Sequence, residues 1–161
     1  MTTKRIPEKR LHVTELFHSI QGESTWAGLP CVFIRLTGCN LRCNWCDTAY
    51  AFSGGEMMDL GSILSSVAAY RTPLVEITGG EPLTQPACPA LATALLEKGH
   101  TVLIETSGSL PINTLPDEVI RIMDLKCPGS GVSDQNHWPN IGYLRQDRDE
   151  VKFVIADRAD Y

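Results

Sequence analysis

TGCNLRCNWCDT, residues 37–48, places Cys39, Cys43 and Cys46 within eight positions. On a loop, this C-x3-C-x2-C spacing lets three sulfurs converge on one centre. A structural zinc site takes four protein ligands, and His18, the histidine that precedes the motif, lies 21 residues before Cys39. A [4Fe–4S] cluster normally takes four thiolates, so three thiolates leave one iron open to a small molecule. The spacing therefore favours a catalytic iron–sulfur cluster.

Structural zinc with a remote fourth ligand is the alternative interpretation of this motif. Its fourth ligand would have to be Cys31, Cys88 or Cys127. We expect these three to be ordinary residues, because a free cysteine behaves as a small hydrophobe and Cys31 begins an apolar run. Disulfides are not expected, since clustered thiols in a reducing compartment more often bind a metal or take part in chemistry.

Composition places the chain among ordinary globular proteins. Its 161 residues, 43% of them hydrophobic, suit a single domain over 1–161 with a substantial core. The formal net charge of −5 argues against a general nucleic-acid-binding surface, which needs a basic face. No stretch approaches the roughly eighteen apolar residues of a membrane span, and segment 1–17 lacks the apolar region of a secretory signal. The sequence predicts a cytoplasmic protein that does not enter a membrane.

Five short β-rich runs and two helical patterns follow one another along the chain. The β-rich runs are CVFIRL (31–36), LVEIT (74–78), TVLIET (101–106), VIRIMDL (119–125) and VKFVIA (151–156). The first helical pattern, 59–70, begins at Asp59, which is a favourable cap. The second, 88–100, has Pro89 in its first turn and Gly99 at its C-terminal end. Strands that alternate with helices predict right-handed βαβ units and a mostly parallel sheet with helices outside.

The two faces of these predicted strands differ in polarity. One face is apolar, as a face covered by helices should be, and carries Val32, Ile34, Leu36, Val75, Ile77, Val102 and Ile104. The other face is polar and carries Arg35, Glu76, Thr78, Glu105, Ser107, Asp124 and Lys126. A flat doubly wound sheet would be apolar on both faces. The pattern therefore predicts an α/β fold with a curved sheet, a partial (β/α) barrel, whose site lies at the carboxyl ends of the strands.

The cysteine motif, with Trp45 as the aromatic residue before the last cysteine, resembles the signature of the radical S-adenosylmethionine (radical SAM) superfamily. TGGEP (78–82) follows the second predicted strand, as the glycine-rich motif of that superfamily does. The resemblance implies a partial barrel of radical SAM type, with a [4Fe–4S] cluster on Cys39, Cys43 and Cys46. It also implies that SAM chelates the open iron and is cleaved to methionine and a 5′-deoxyadenosyl radical.

The resemblance assigns residues to the SAM site as well. Gly79 and Gly80 would let the backbone approach the methionyl amino group, and Trp45 would pack on the adenine. Ser107 and Lys126 would lie near the ribose and the carboxylate. The cofactor-binding residues implied in this way are Trp45, Cys46, Asp47, Gly79, Gly80, Glu81, Thr106, Ser107, Lys126, Cys127 and Pro128. Without the resemblance, we would interpret the two glycines as a plain turn. Trp45 would be interpreted as a core residue and Lys126 as a solvated lysine.

A longer stretch, ELFHSIQGESTWAGLPCVFIRLTGCNLRCNWCDT (15–48), resembles the 7-carboxy-7-deazaguanine synthase family. GGEP, ETSG, DLKCP and DEVKFVI extend the likeness over nearly the whole chain. The family consists of radical SAM lyases of 7-deazapurine (queuosine-type) biosynthesis, which convert 6-carboxy-5,6,7,8-tetrahydropterin to 7-carboxy-7-deazaguanine with loss of ammonia. The resemblance implies that the adenosyl radical takes hydrogen from C6 of the pterin, after which the ring contracts and SAM is regenerated.

The same resemblance implies contacts to substrate and magnesium. The substrate-binding residues that it implies are Ile20, Gln21, Gly22, Glu23, Arg35 and Thr78. Glu23 would accept hydrogen bonds from the guanidine-like edge of the pterin, and Arg35 would pair with the substrate carboxylate. Thr48 would offer an oxygen to Mg²⁺, the hard ion that this family uses to hold that carboxylate. Without the family resemblance, we would interpret Thr48 as a loop hydroxyl and Glu23 as a surface acid.

The family likeness carries expectations about partners and length. It implies an electron donor such as flavodoxin or ferredoxin, a homodimer, and chemistry on a free small molecule rather than on a nucleic acid. Members of the family run on for several tens of residues beyond VKFVIADRADY (151–161), and that part closes the sheet and contributes groups near the pterin. The C-terminal part of the domain is therefore expected to be short relative to the family.

Two other functions remain open at this point. Small radical SAM activases, which place a glycyl radical on a partner enzyme, are about this size and share the cysteine motif. They have no need of the SIQGE segment (19–23), Arg35 or Thr48. A non-enzymatic zinc or iron–sulfur module would bind metal but not SAM, so it would form no deoxyadenosine.

Overall fold

A sheet with two helices is the framework of the computed structural model, which describes residues 9–161. The strands are β1 (Arg10–Ile20), β2 (Pro30–Leu36), β3 (Glu56–Asp59), β4 (Leu74–Gly79), β5 (Thr101–Thr106), β6 (Ile120–Asp124) and β7 (Glu150–Lys152). The helices are α1 (Leu60–Ala69) and α2 (Cys88–Glu97). Residues 1–8, part of the segment in which no secretory signal is predicted, lie outside the described residues.

The strand order in the sheet is β3-β1-β2-β4-β5-β6-β7. From β2 to β7 every neighbouring pair is parallel, and α1 and α2 connect the first three of these strands. β1 is antiparallel to β2, with Phe17 opposite Phe33, and β3 is antiparallel to β1. The prediction of a mostly parallel sheet with helices outside is confirmed.

Both predicted helices form. Asp59 caps α1 as expected, because its carboxylate accepts a hydrogen bond of 2.8 Å from the backbone N–H of Ser62. α2 ends three residues earlier than its predicted range 88–100, and Gly99 follows with a positive φ of 84°, a conformation that glycine adopts without strain.

Three strand assignments needed correction. β1 and β3 were not predicted, because residues 10–20 mix apolar with charged and hydroxyl side chains and bury only Leu11 and Val13. β1 pairs with β2 and β3 pairs with β1. These long-range pairings stabilise strands that their own periodicity does not indicate. The predicted strand 151–156 was too long at its C-terminal end, because the ladder with β6 stops at Lys152.

The apolar outer face of the sheet packs against the helices, as predicted. The buried residues of this core include the seven predicted ones on β2, β4 and β5, together with Ile63 and Val67 of α1 and Leu91 and Leu95 of α2. Burial of such side chains contributes about 1.5–3 kcal/mol each relative to exposure. This core joins the sheet to the helices on its outer face.

The sheet curves around its inner face. The loop after β1 reaches β7: the Thr25 hydroxyl donates to Glu150 Oε1 at 2.6 Å, and the Lys152 ammonium contacts the Glu23 carboxylate. Four strands lie between β1 and β7 in the sheet, so these contacts require the sheet to roll up. The predicted partial barrel is therefore confirmed.

A second apolar cluster fills part of the concave side. It consists of Cys31, Phe33, Leu74, Leu103, Ile120 and Ile122, with Phe17 and Trp26 packed against it. Three of the six, Cys31, Leu74 and Ile120, lie at or next to the amino ends of their parallel strands. The carboxyl ends are thus left for polar side chains. Among the described residues, no helix has the length and hydrophobicity needed to cross a membrane.

Candidate active site

The concave side of the sheet encloses a cavity of about 650 Å³. β1 and each of the parallel strands contribute to its wall, together with the loops that follow β1, β2 and β4. The predicted site residues that line it are Ile20, Gln21, Gly22, Glu23, Arg35, Cys39, Cys43, Trp45, Cys46, Asp47, Thr48, Thr78, Gly79, Gly80, Thr106, Ser107 and Lys126. Residues from distant parts of the chain thus surround one space.

Cys39, Cys43 and Cys46 follow β2 and are half-buried on the cavity wall. Burial raises the pKa of the Cys39 thiol, and the nearby Glu81, Cys43 and Cys46 raise it further, against a hydrogen bond from the Leu41 N–H. Thiolates that repel one another in this way are stabilised when cations bind them, because metal binding displaces the thiol protons. The three residues therefore fit a polynuclear iron centre.

The structural zinc alternative finds less support. Residues 9–161 contain no group of three or more histidine, cysteine or acidic side chains that would hold a single metal ion. Zinc needs its ligands around one ion, whereas each thiolate of an iron–sulfur cluster binds a different iron, so the sulfurs stand farther apart. The remaining cysteines do not line the cavity, and burial raises the pKa of Cys31 and of Cys88 to about 12 each.

Gly79 and Gly80 allow the end of β4 to lie directly against the cysteine loop. A Cβ on Gly79 would stand 2.2 Å from the Leu36 carbonyl oxygen, and one on Gly80 would stand 2.2 Å from the Gly38 carbonyl oxygen. The φ of Gly79, +146°, also disfavours any other residue. The glycines are therefore required by the packing of the protein itself, in addition to the predicted approach of SAM.

Trp45 rests on the loop that follows β6. Gly129 lies so close that a Cβ there would stand 2.8 Å from the Trp45 ring, and Asn44 donates to the Gly129 and Ser130 carbonyl oxygens at 3.0 and 2.9 Å. Cys127 and Pro128 begin this supporting loop. They border a second cavity of about 350 Å³ rather than the first.

Glu81 lies behind the cavity wall. It is fully buried, and its carboxylate accepts hydrogen bonds from the Ser107 N–H at 2.7 Å, the Ser107 hydroxyl at 2.6 Å and the Thr106 hydroxyl at 2.9 Å. The Leu83 N–H donates to it as well, at 3.0 Å. Glu81 itself does not line the cavity, whereas Thr106 and Ser107 do. Its predicted cofactor-binding role stays a prediction, and its hydrogen bonds predict a positioning role for Thr106 and Ser107.

Lys126 reaches the cavity from the end of β6. Its ammonium donates to Asp124 Oδ2 at 2.8 Å. Burial alone lowers the pKa of Lys126, but the Asp124 carboxylate and the Cys43 thiol outweigh burial, so the pKa ends above its usual value. The positive charge is therefore retained beside the cysteine loop.

Arg35 is paired within the protein. Its Nε donates to Glu15 Oε1 at 2.7 Å, the Tyr50 hydroxyl donates to the same oxygen at 2.8 Å, and the guanidinium lies near the Phe17 and Tyr50 rings. The sequence did not reveal the Glu15 partner. Nearby on the wall, Thr48 donates its hydroxyl hydrogen to Asp47 Oδ1 at 2.8 Å, which places two hard oxygen donors side by side.

The inner part of the cavity holds residues to which the sequence assigned no role. The Phe17 and Phe33 rings stack with centroids 5.1 Å apart, Glu76 and Glu105 project from β4 and β5, and Lys152 bridges Glu23 and Glu105. The one sequence signal for the two acids was their place on the inward, polar face of the strands. Lys152 had no such signal, because its role depends on the curvature that brings β7 to the loop after β1.

Comparisons with known proteins identify the family. The family model described as Radical SAM superfamily matches residues 33–128. The 7-carboxy-7-deazaguanine synthase of Koribacter versatilis is 47% identical over 153 residues, which cover 94% of this chain and 67% of that protein. The enzyme of the same name from Chlorobaculum tepidum is 44% identical over 156 residues, 96% of this chain and 71% of that protein.

The comparison with solved structures concerns the fold. The crystal structure of QueE from Escherichia coli matches with a TM-score of 0.71 at 19% identity, over 96% of this chain and 90% of that one. Three observations indicate the same family: the partial barrel, the three cysteines on its wall and the sequence identity. The chain therefore belongs to the 7-carboxy-7-deazaguanine synthase family of the radical SAM superfamily.

Proposed function

We propose that this protein is a radical SAM lyase that converts 6-carboxy-5,6,7,8-tetrahydropterin to 7-carboxy-7-deazaguanine with loss of ammonia, in 7-deazapurine (queuosine-type) biosynthesis. The observation that carries the proposal is the 47% identity to a 7-carboxy-7-deazaguanine synthase over 94% of the chain. The cavity supports it, since its volume suits a small molecule and its wall combines aromatic rings with polar groups. Family membership disfavours the activase alternative.

Family membership implies a [4Fe–4S] cluster and SAM, which together supply the 5′-deoxyadenosyl radical when bound. Cys39, Cys43 and Cys46 would hold the cluster. Thr106 and Ser107, held in place by Glu81, would present hydroxyl groups to SAM, while Trp45, Asp47, Gly79, Gly80 and Lys126 would form the rest of its site. These residues bind and orient the cofactors and exclude water from the cavity.

The substrate would occupy the space between the cysteine loop and the segment 20–23. Arg35 would bind the substrate carboxylate, in competition with its present partner Glu15. Glu23, Gln21 and the backbone of Ile20 and Gly22 would accept and donate hydrogen bonds at the ring edge, with Thr78 on the wall beside them. Each of these contacts is a proposal that substitution can test.

We further propose a cytoplasmic homodimer built from a single domain over 1–161, reduced by a flavodoxin or ferredoxin and acting on no nucleic acid. The family likeness supports the dimer and the electron donor. The net charge of −5 supports a small-molecule substrate over a polyanion.

Formation of the product tests the proposed reaction. The chain is reconstituted anaerobically with iron and sulfide, and mixed with SAM, reductant, Mg²⁺ and 6-carboxytetrahydropterin. We expect 7-carboxy-7-deazaguanine by mass spectrometry, with several products formed per SAM because SAM is regenerated. Deoxyadenosine without this product would contradict the substrate assignment and leave the radical SAM chemistry intact.

Mg²⁺ binding by Thr48 is a separate proposal. Thr48→Ala should leave iron content unchanged and should remove most of the stimulation of product formation by Mg²⁺, because a hard cation loses an oxygen ligand. The measurement is a titration of the initial rate with Mg²⁺ in wild type and variant. Thr93→Ala, a hydroxyl deletion on the exposed side of α2, is the matched control, and an unchanged Mg²⁺ response in Thr48→Ala would contradict the role.

A further inference from the structure

Glu76 is a buried acid on the wall of the cavity. Only 3% of the residue is exposed, yet it lines the same space as the cysteines. It lies two residues before Thr78 on β4, about 6.6 Å farther from the carboxyl end of the strand. The cysteine loop follows the carboxyl end of the adjacent parallel strand β2. Glu76 therefore lies at the inner end of the cavity, away from the cysteine loop.

One oxygen of the Glu76 carboxyl group is free for a ligand. The side-chain amide of Gln21 donates to Oε2 and fixes the orientation of the group. Oε1 makes no hydrogen bond to any other residue within 9–161. Oε1 is not one of the fully enclosed unpaired side-chain atoms of the described residues, so it is open to the cavity. A molecule bound there can therefore form a hydrogen bond with it.

A flat apolar surface lies beside this carboxyl group. Phe33 is the residue next to Glu76 in the β2–β4 register, and its ring stacks on Phe17 at an angle of 13° between the ring planes. Both rings line the cavity. An aromatic surface with a hydrogen-bonding group at its edge fits a planar heterocycle that presents polar atoms along one side.

The charges around Glu76 favour its neutral form. The groups that face it are Glu105 on β5, Glu23 in the loop after β1, Lys152 on β7 and the Cys31 thiol on β2. Lys152 is already paired with Glu23 and Glu105. Burial and then the Glu105 charge raise the pKa of Glu76 to about 8, against the opposing effects of Gln21 and Lys152. At neutral pH the group is thus a carboxylic acid with one donor and one acceptor.

We propose that Glu76 selects the substrate ring by pairing its carboxylic acid with a lactam edge, the adjacent N–H and C=O of a 4-oxopyrimidine. Oε2, which accepts from Gln21, has a second lone pair for the lactam N–H, and the O–H on Oε1 donates to the lactam oxygen. A carboxylate would have no hydrogen for that oxygen and would repel it. The inference rests on the proposed function, because a pterin is a heterocycle that carries this edge.

Two substitutions distinguish substrate binding by a neutral Glu76 from substrate binding by a charged Glu76. Glu76→Leu removes both hydrogen bonds and should weaken binding of 6-carboxytetrahydropterin about 10- to 100-fold. Glu76→Gln keeps one donor and one acceptor in nearly the same shape, so it should recover most of the lost affinity. The dissociation constant is measured on the reconstituted protein without reductant. Glu97→Gln, the same change at an exposed position of α2, is the control, and deoxyadenosine formation with reductant shows that each variant is folded.

The pH dependence of substrate affinity is a second test of the proposal. Wild-type affinity should fall above about pH 8, where Glu76 loses the proton that the lactam oxygen needs. Glu76→Gln should abolish this fall, since its amide does not titrate, while any titration of the substrate itself remains in both proteins. Identical pH profiles in wild type and Glu76→Gln would overturn the proposal, as would a Glu76→Gln variant as weak as Glu76→Leu.

The outcomes also separate this inference from the proposed function. Wild-type turnover of the pterin, with Glu76→Leu binding it within threefold of wild type, would overturn the role of Glu76 alone. A wild-type protein that neither binds nor converts the pterin would overturn both.

Discussion

Replacement of Cys39, Cys43 or Cys46 by alanine is expected to prevent cluster assembly and to reduce product formation to background. Each thiolate of the proposed cluster holds a different iron, so the loss of one leaves two protein ligands for a centre that normally has at least three. The measurements are iron and sulfide content after anaerobic reconstitution, deoxyadenosine formation, and 7-carboxy-7-deazaguanine formation. All three should fall together.

Cys88→Ala is the matched control for these variants. Cys88 is fully buried in the outer core and does not line the cavity. Its replacement creates a small void and should cost about 1 kcal/mol of unfolding free energy, while iron content and turnover stay at wild-type levels. Normal iron content and turnover in any one of the three motif variants would contradict the cluster assignment.

Replacement of Glu81 is expected to have the largest effect on stability. Glu81→Gln keeps the shape of the side chain but places an NH₂ group where a carboxylate oxygen now accepts hydrogen bonds from Thr106 or Ser107. A donor would then face donors at a fully buried site. We expect the free energy of unfolding to fall by about 2–4 kcal/mol, measured by urea denaturation followed by circular dichroism.

The result for Glu81 distinguishes two roles. The sequence resemblance placed Glu81 among the cofactor-binding residues, a role that predicts weaker SAM binding with unchanged stability. The structure instead predicts lower stability, with weaker SAM binding only through displaced Thr106 and Ser107. Glu97→Gln, exposed on α2, should change the unfolding free energy by less than about 0.5 kcal/mol. A Glu81→Gln variant as stable as this control would contradict the positioning role.

The hydrogen bonds of Glu81 explain how the loops that follow β4 and β5 keep their relative position. Glu81 follows β4, whereas Thr106 and Ser107 end β5, and its carboxylate joins the two loops at the carboxyl end of the sheet. Gly80 completes the arrangement, since its backbone lies against Gly38 of the cysteine loop. The TGGEP segment thus acts as a support shared by the cluster loop and the proposed SAM site.

Periodicity and motif spacing in the sequence were sufficient to predict the buried face of the strands and the family of the protein. The alternation in CVFIRL, LVEIT and TVLIET indicated which face of each strand packs on the helices, and the structure confirms it. The cysteine spacing and the glycines after β4 indicated the superfamily, and the SIQGE segment indicated the family. These signals are local, because each depends on residues within a few positions of one another or on the regular geometry of a strand.

Tertiary structure alone decided which side chains meet in the cavity. Lys152 bridges Glu23 and Glu105 across 129 and 47 residues of chain, and Gln21 orients Glu76 across 55. β1, which supplies Phe17 and ends beside Gln21, was itself not predicted, because its pairing with β2 rather than its own pattern stabilises it. Such contacts form only when the sheet rolls up and brings β7 to the loop after β1. The alternation along the strands predicted that the sheet curves, but no local pattern in the sequence specifies which distant side chains that curvature brings together.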